Sequence, residues 1–134
     1  IDMFARRDAL SLEGFEGSGA DWLERFKPWL TDGQTVVASP HKVYGPESND
    51  LALQLRMRHV DRILLAGMSA NLCVGAHLRG LLEAGFEVHV MKDATAAAQH
   101  PELGDGYAAA VVDFGYLANG VVTTQEAVAA IKAS

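Results

Sequence analysis

The stretch Arg62-Ile63-Leu64-Leu65-Ala66-Gly67-Met68-Ser69-Ala70-Asn71-Leu72-Cys73-Val74 decides the fold, and it contains the only cysteine of the chain. Its first five residues form an apolar run typical of a short buried strand, which Gly67 closes. From Asn71 onward the pattern predicts a helix with Asn71 as its N-cap. Cys73 would then lie in the first helical turn, where unpaired backbone N–H groups and the helix dipole favour an anion such as a thiolate. Because free cysteines often simply fill a core, position alone leaves catalysis and packing both open.

Strands and helices alternate on both sides of this stretch. We predict strands over 34–38, 62–66, 86–91 and 120–123, and helices over 20–30, 49–58, 71–83, 107–117 and 125–132. This alternation indicates an α/β domain of three α/β/α layers, Rossmann-like, with a mainly parallel sheet. Ligands bind such sheets at the carboxyl ends of the strands. Since Lys42 follows one predicted strand and Cys73 follows the next, two reactive groups should converge on one edge.

The first helix should be amphipathic and aromatic. Trp22, Phe26 and either Trp29 or Leu30 are expected to form its buried stripe, and Pro28 should distort or end it. The glycine-rich residues 13–19 before it have no strand ahead of them, so they are interpreted as a surface loop rather than a phosphate-binding loop.

Composition limits the classes of function. The chain has 134 residues, a formal net charge of −6 and 49% hydrophobic residues, which fits a single domain. There is no basic stripe to neutralise phosphates, so we expect no nucleic-acid partner. No apolar run reaches the roughly 18–20 residues of a membrane span, so no membrane partner is expected. One cysteine cannot form an internal disulfide, which fits a protein of the reducing cytoplasm.

Residues 67–74 resemble the nucleophile segment of the isochorismatase-like cysteine hydrolases, the superfamily of nicotinamidase and N-carbamoylsarcosine amidase. That family has a strand, a glycine, a short tight turn and then Cys-Val at the start of a helix. Downstream, Lys92-Asp93-Ala94-Thr95 is similar to the end of its next strand. Upstream, Ser39-Pro40-His41-Lys42, with a helix following at Asn49-Asp50-Leu51, is similar to its lysine loop. The resemblance covers roughly residues 30 to 128.

The resemblance implies a mechanism. Cys73 would be the nucleophile and Lys42 its electrostatic partner, attacking an amide-type carbonyl, releasing ammonia or an amine, and leaving a thioester for water to hydrolyse. Backbone N–H groups of Ser69 and Cys73 would hold the oxyanion. The family turn contains a cis peptide bond, whose equivalent here is Met68–Ser69.

Three further residues are candidates for binding substrate. His41 and Tyr44 lie in the lysine loop, and Asn71 lies beside Cys73. The five histidines show no short ligand spacing, and the Asp-x-His metal motif of nicotinamidases is absent, so we expect no metal and no cofactor.

The chain departs from the family pattern at its start. The family's general base is an aspartate at the end of its first strand, but no apolar strand precedes Asp2. We therefore interpret 1–134 as one hydrolase domain, with 1–30 as a variable insert, 31–134 as the core, and the first strands and catalytic aspartate upstream. The alternative to a cysteine-dependent amide or carbamoyl hydrolase is a catalytically incomplete fragment or a non-catalytic assembly module. Redox sensing is a weaker hypothesis because no resolving cysteine exists. The family resemblance also implies a small-molecule substrate and favours a homo-oligomer.

Overall fold

Three parallel strands form the central sheet. The computed structural model describes residues 14–19, 21–38 and 40–133, so the interpretation of Asp2 lies outside the described residues. The strands are β1 (Arg62–Met68), β2 (Glu87–Ala96) and β5 (Gly120–Val122), in the order β1-β2-β5. A two-stranded antiparallel ribbon, β3 (Gln99–His100) with β4 (Gly104–Asp105), lies between β2 and the next helix. The mainly parallel sheet confirms the expected α/β class.

The pairing of β1 with β2 changes register near the end that leads to Cys73. Leu65 pairs with Val90, but Gly67 pairs with Thr95, so the ladder is irregular between Leu65 and Gly67. Gly67 has a φ of 125°, a conformation that only glycine adopts without strain. Gly67, which closes the predicted strand, therefore lies where the register between β1 and β2 changes.

Helices cover both faces of the sheet. In the part of the chain that the structure describes, they are α1 (Lys27–Leu30), α2 (Leu51–Met57), α3 (Gly75–Glu83), α4 (Gly106–Leu117) and α5 (Thr124–Ala133). Alternate residues of a strand point to opposite faces. Val88 and Val90 of β2 are fully buried in a cluster with Leu78 of α3 and Phe114 of α4. The opposite face contacts α5, whose Ala127 is buried. The three expected layers are therefore present.

Side-chain caps fix the starts of the last two long helices. Asp105 accepts hydrogen bonds from the backbone N–H groups of Tyr107 (2.8 Å) and Ala108 (3.3 Å) at the start of α4. Before α5, Glu126 accepts from the Thr123 backbone N–H at 2.7 Å, and the Thr123 hydroxyl accepts from the Glu126 N–H at 3.2 Å. This reciprocal pair is a capping box. Thr123 is therefore the N-cap of α5.

The predictions for the N-terminal third are partly wrong. Residues 34–38 form no strand, because no neighbouring strand in the described part of the chain supplies the hydrogen bonds of a ladder. The first helix is a 3₁₀ turn, Glu24–Phe26, followed by the single turn α1, with Pro28 in its first turn. Its aromatic stripe is exposed rather than buried: Trp29 is 60% exposed and Trp22 is 44% exposed. The spacing of apolar residues predicts a stripe on the helix, but it does not show whether another element packs against that stripe.

Within the described residues, no helix is both long and apolar enough to cross a membrane.

Candidate active site

Cys73 lies in a π-helical turn, Ala70–Val74, that joins β1 to α3. The turn begins at Ser69, whose carbonyl accepts hydrogen bonds from the backbone N–H groups of Leu72 (3.0 Å) and Val74 (3.1 Å). The peptide bond Met68–Ser69 is cis, which confirms the expectation from the resemblance. Cys73 is half-buried and carries a free thiol. It therefore occupies the carboxyl end of a parallel strand, where α/β sheets bind their ligands.

The prediction that Asn71 caps the helix is wrong. The N-cap is Ser69, with no side-chain cap hydrogen bond, and Asn71 lies inside the π-helical turn with an exposed side chain. The extra turn begins two residues earlier than the hydrophobic pattern indicates. The Asn71 amide instead lies close to Gly106 at the start of α4, where an added Cβ would come within 2.8 Å of its Nδ2. Asn71 thus connects the cysteine turn to the next helix, and its role toward substrate stays a prediction.

The loop that carries Lys42 packs against α3. The loop ends in a 3₁₀ turn, Pro46–Ser48. The Lys42 backbone N–H donates to Ser48 Oγ of this turn at 2.7 Å. Pro46 is buried, and a Cβ added at Gly80 of α3 would lie 2.8 Å from Pro46 Cγ. Only a glycine allows this approach, because real Cβ contacts are essentially never that short. The loop backbone is therefore fixed against the helix that follows Cys73.

A pair of histidines makes a second contact between the loop and α3. The rings of His41 and His77 meet edge to face, with centroids 5.0 Å apart and an interplanar angle of 73°. His77 Nδ1 donates to the Cys73 carbonyl at 2.8 Å, and His41 Nδ1 donates to the Val43 carbonyl at 3.1 Å. Carbonyl oxygens only accept, so Nδ1 carries the proton in each ring. His41 is therefore linked through one ring to the backbone of Cys73.

The structure brings some of the predicted site residues together. His41 reaches the helix of Cys73 through His77, Ser69 adjoins the cysteine turn, and Tyr44 is half-buried in the Lys42 loop. The Lys42 side chain is exposed, and within the described part of the chain no hydrogen bond joins it to Cys73. In the described part of the chain no strand precedes Lys42, so Lys42 does not follow the end of a strand as predicted. The structure instead holds its loop against α3.

Sequence reasoning missed His77 and Gly80, which hold that loop. The signal was present in the spacing: positions 73, 77 and 80 are four and three residues apart, which places them on one helix face. In the sequence alone, a histidine at this spacing is equally typical of a surface or a packing residue.

The end of β2 carries polar groups close to this edge. Asp93 accepts hydrogen bonds from the Thr124 backbone N–H at 2.7 Å and from its hydroxyl at 3.0 Å. These bonds, the backbone one foremost, lower the pKa of Asp93 below its usual range. Asp93 thus supports the start of α5. Nearby, the Tyr107 hydroxyl donates to the Lys92 carbonyl at 2.5 Å.

A separate open cavity of about 670 Å³ lies on the α5 face of the sheet. At its rim Glu87 accepts from His89 at 2.7 Å and from Arg62 at 2.9 Å. The hydrogen bond from His89, followed by that from Arg62, lowers the pKa of Glu87. Arg62 begins β1 and Cys73 follows its end, so a strand of about 20 Å separates the two places. This cavity is not part of the cysteine site.

Among residues 14–19, 21–38 and 40–133, no cluster of three or more His, Cys, Asp or Glu side chains is placed to hold a metal ion. The donors that the described residues present therefore do not fit a metal centre.

Most of the chain matches the model of a known protein family. The family model of the isochorismatase domain matches residues 5–127. The chain belongs to the isochorismatase family. A curated relative, the uncharacterized isochorismatase family protein YecD of Escherichia coli O157:H7, is 45% identical over 49 residues, which are 37% of this chain and 26% of that protein.

Two solved structures share the fold. A cysteine hydrolase from Pseudomonas syringae pv. phaseolicola is 26% identical with a TM-score of 0.67, covering 73% of this chain and 49% of its own. A pyrazinamidase of Pyrococcus horikoshii, solved in complex with zinc, is 28% identical with a TM-score of 0.54, covering 63% of this chain and 46% of its own. The family member described here therefore spans about half the length of these solved relatives.

Proposed function

We propose that this isochorismatase-family chain is a cysteine-dependent hydrolase of small amide or carbamoyl C–N bonds, with Cys73 as its nucleophile. The observation that carries the proposal is the place of Cys73: a half-buried thiol in the turn between a parallel strand and its following helix. The names of two relatives, a cysteine hydrolase and a pyrazinamidase, support this chemistry.

The proposed reaction has two stages. The Cys73 thiolate attacks the carbonyl carbon, and backbone N–H groups at Ser69 and Cys73 stabilise the oxyanion. The C–N bond then breaks, the nitrogen leaves with a proton as ammonia or an amine, and the acyl group stays on sulfur as a thioester. Water attacks this thioester, which yields the carboxylic acid and restores the thiol. Lys42 stabilises the thiolate electrostatically, and His41, Tyr44 and Asn71 line the substrate pocket.

Turnover of a panel of primary amides and carbamoyl compounds tests the proposal. Ammonia release should be abolished in Cys73→Ala, while circular dichroism shows an unchanged fold. Quenching the wild-type reaction should reveal an acyl adduct by intact mass, absent from Cys73→Ala. Ammonia release that persists in Cys73→Ala would contradict a cysteine mechanism.

A second candidate function is a non-catalytic assembly module of the same fold. The outer edge of β1 has no strand paired to it among the described residues, and next to it Met68 is 72% exposed and Leu64 is 39% exposed. Unpaired edges and exposed apolar side chains favour association with further chains. Sedimentation velocity separates the candidates: assemblies without thiol-dependent turnover support the module, whereas a catalytically active monomer excludes it.

A further inference from the structure

We propose that Cys73, His77 and Gly80 form one face of the helical segment that docks the Lys42 loop, and that His77 is the positioning residue of this contact. The inference rests on the proposed function, because the loop matters only if Lys42 acts on Cys73. It assigns a role to His77 and Gly80, neither of which touches substrate in the proposed mechanism.

The first argument is the double contact of His77. Its Nδ1–H donates to the Cys73 carbonyl at 2.8 Å, which fixes the ring in one orientation. The same ring meets that of His41 at 5.0 Å between centroids. His41 directly precedes Lys42, so a single imidazole connects the backbone of the nucleophile to the neighbour of its proposed electrostatic partner.

The second argument is the close approach at Gly80, one turn further along the same face. The absent side chain admits Pro46, whose Cγ and Cδ would lie 2.8 and 2.9 Å from an added Cβ. Ser48 follows Pro46 in the same 3₁₀ turn and accepts from the Lys42 backbone N–H at 2.7 Å. Lys42 is therefore held between two docking points, the His41 ring on one side and the 3₁₀ turn on the other.

The consequence concerns the reach of the Lys42 ammonium. Its side chain is exposed, so a fixed backbone is what limits where the charge can lie. If either docking point is lost, the loop samples more conformations, and the average stabilisation of the thiolate by Lys42 falls. A purely structural contact would instead change Cys73 reactivity equally, whether or not Lys42 is present.

A double-mutant cycle on thiol reactivity tests this distinction. The rate constant for iodoacetamide at pH 6 is measured by intact mass, which is unambiguous because the chain has one cysteine. The variants are His41→Ala, His77→Asn and Lys42→Met, alone and combined. His59→Asn is the matched control, since His59 is exposed at a φ of 54° that asparagine tolerates. Thermal unfolding of each variant checks the fold.

Lys42→Met should lower the rate about fivefold, the upper range for a charge contact open to solvent. His41→Ala and His77→Asn should approach that loss, and neither should add to it in the Lys42→Met background. His59→Asn should retain the wild-type rate within about twofold.

Two results overturn the inference. One is an unchanged rate in His41→Ala while Lys42→Met is slow; the other is an equal loss from His41→Ala with and without Lys42. A rate unaffected by Lys42→Met has a different meaning, because it refutes the proposed role of the lysine itself. Should His41→Ala prove unstable, the His77→Asn cycle decides the same question.

Discussion

Replacing Asn119 by alanine should destabilise the sheet at the point where β5 begins. The Val88 backbone N–H donates to Asn119 Oδ1 at 2.7 Å, and the Asn119 N–H donates to the Val88 carbonyl at 2.9 Å. The paired residues of β2 and β5 start only at His89 and Gly120. The Asn119 side chain therefore completes the ladder one residue before the strand itself does.

The magnitude follows from the burial of Val88, which is 0% exposed. In Asn119→Ala the backbone N–H of Val88 loses its acceptor inside a buried strand. Leaving such a group without a partner costs about 1–3 kcal/mol. Asn119 itself is exposed, so water can partly replace the lost acceptor, and we expect about 1–2 kcal/mol.

Urea unfolding followed by circular dichroism measures this change. The midpoint should fall while the m-value stays constant, because the same surface is exposed on unfolding. Asn119→Asp keeps an acceptor at the same position and should lie within about 0.5 kcal/mol of wild type. If Asn119→Ala is equally close to wild type, this hydrogen bond does not stabilise the sheet and the reasoning fails.

Three further predictions concern packing and pH. Leu78→Ala should cost about 2–5 kcal/mol in urea unfolding because Leu78 is 0% exposed, whereas Leu103→Ala, at 84% exposed, should change little. Gly106→Ala should lower the melting temperature, since its Cβ would lie 2.7 Å from the Ala98 carbonyl oxygen; an unchanged melting temperature would show that the neighbouring backbone yields. The pKa values of Asp93 and Glu126 are lowered on folding from 3.8 and 4.5, mainly by backbone N–H donors of Thr124 and Thr123. Their contribution to stability is therefore present above those values and is lost as pH falls through the folded pKa values. Asp93→Asn with Glu126→Gln should flatten the acid side of a stability–pH curve, and a curve as steep as that of wild type would contradict this assignment.

The sequence predicted the part of the fold that depends on local pattern. The apolar runs of β1 and β2, the spacing of α3 and α4, and the cap at Asp105 follow from periodicity and capping chemistry. The cysteine segment and its cis bond followed from family resemblance.

Other features depended on contacts that no local pattern encodes. Residues 34–38 have strand-like composition, but a strand needs a partner, and none lies beside them in the described chain. The N-cap is Ser69 rather than the expected Asn71. A π-helical turn precedes α3, so the helical segment begins before the first residue of the hydrophobic pattern. The contact between the Lys42 loop and α3 involves His77 and Gly80, each of which looks like an ordinary helix residue in the sequence.

The most direct test of the central claim compares the Cys73 thiol in the folded chain with the same thiol in a synthetic peptide of residues 69–77. Both are treated with iodoacetamide at pH 6, and the rate constants are read by intact mass. An activated nucleophile predicts that the folded chain reacts at least about tenfold faster, although its thiol is half-buried. A folded chain that reacts no faster than the peptide would show that Cys73 is an ordinary packed cysteine, which contradicts the proposed function.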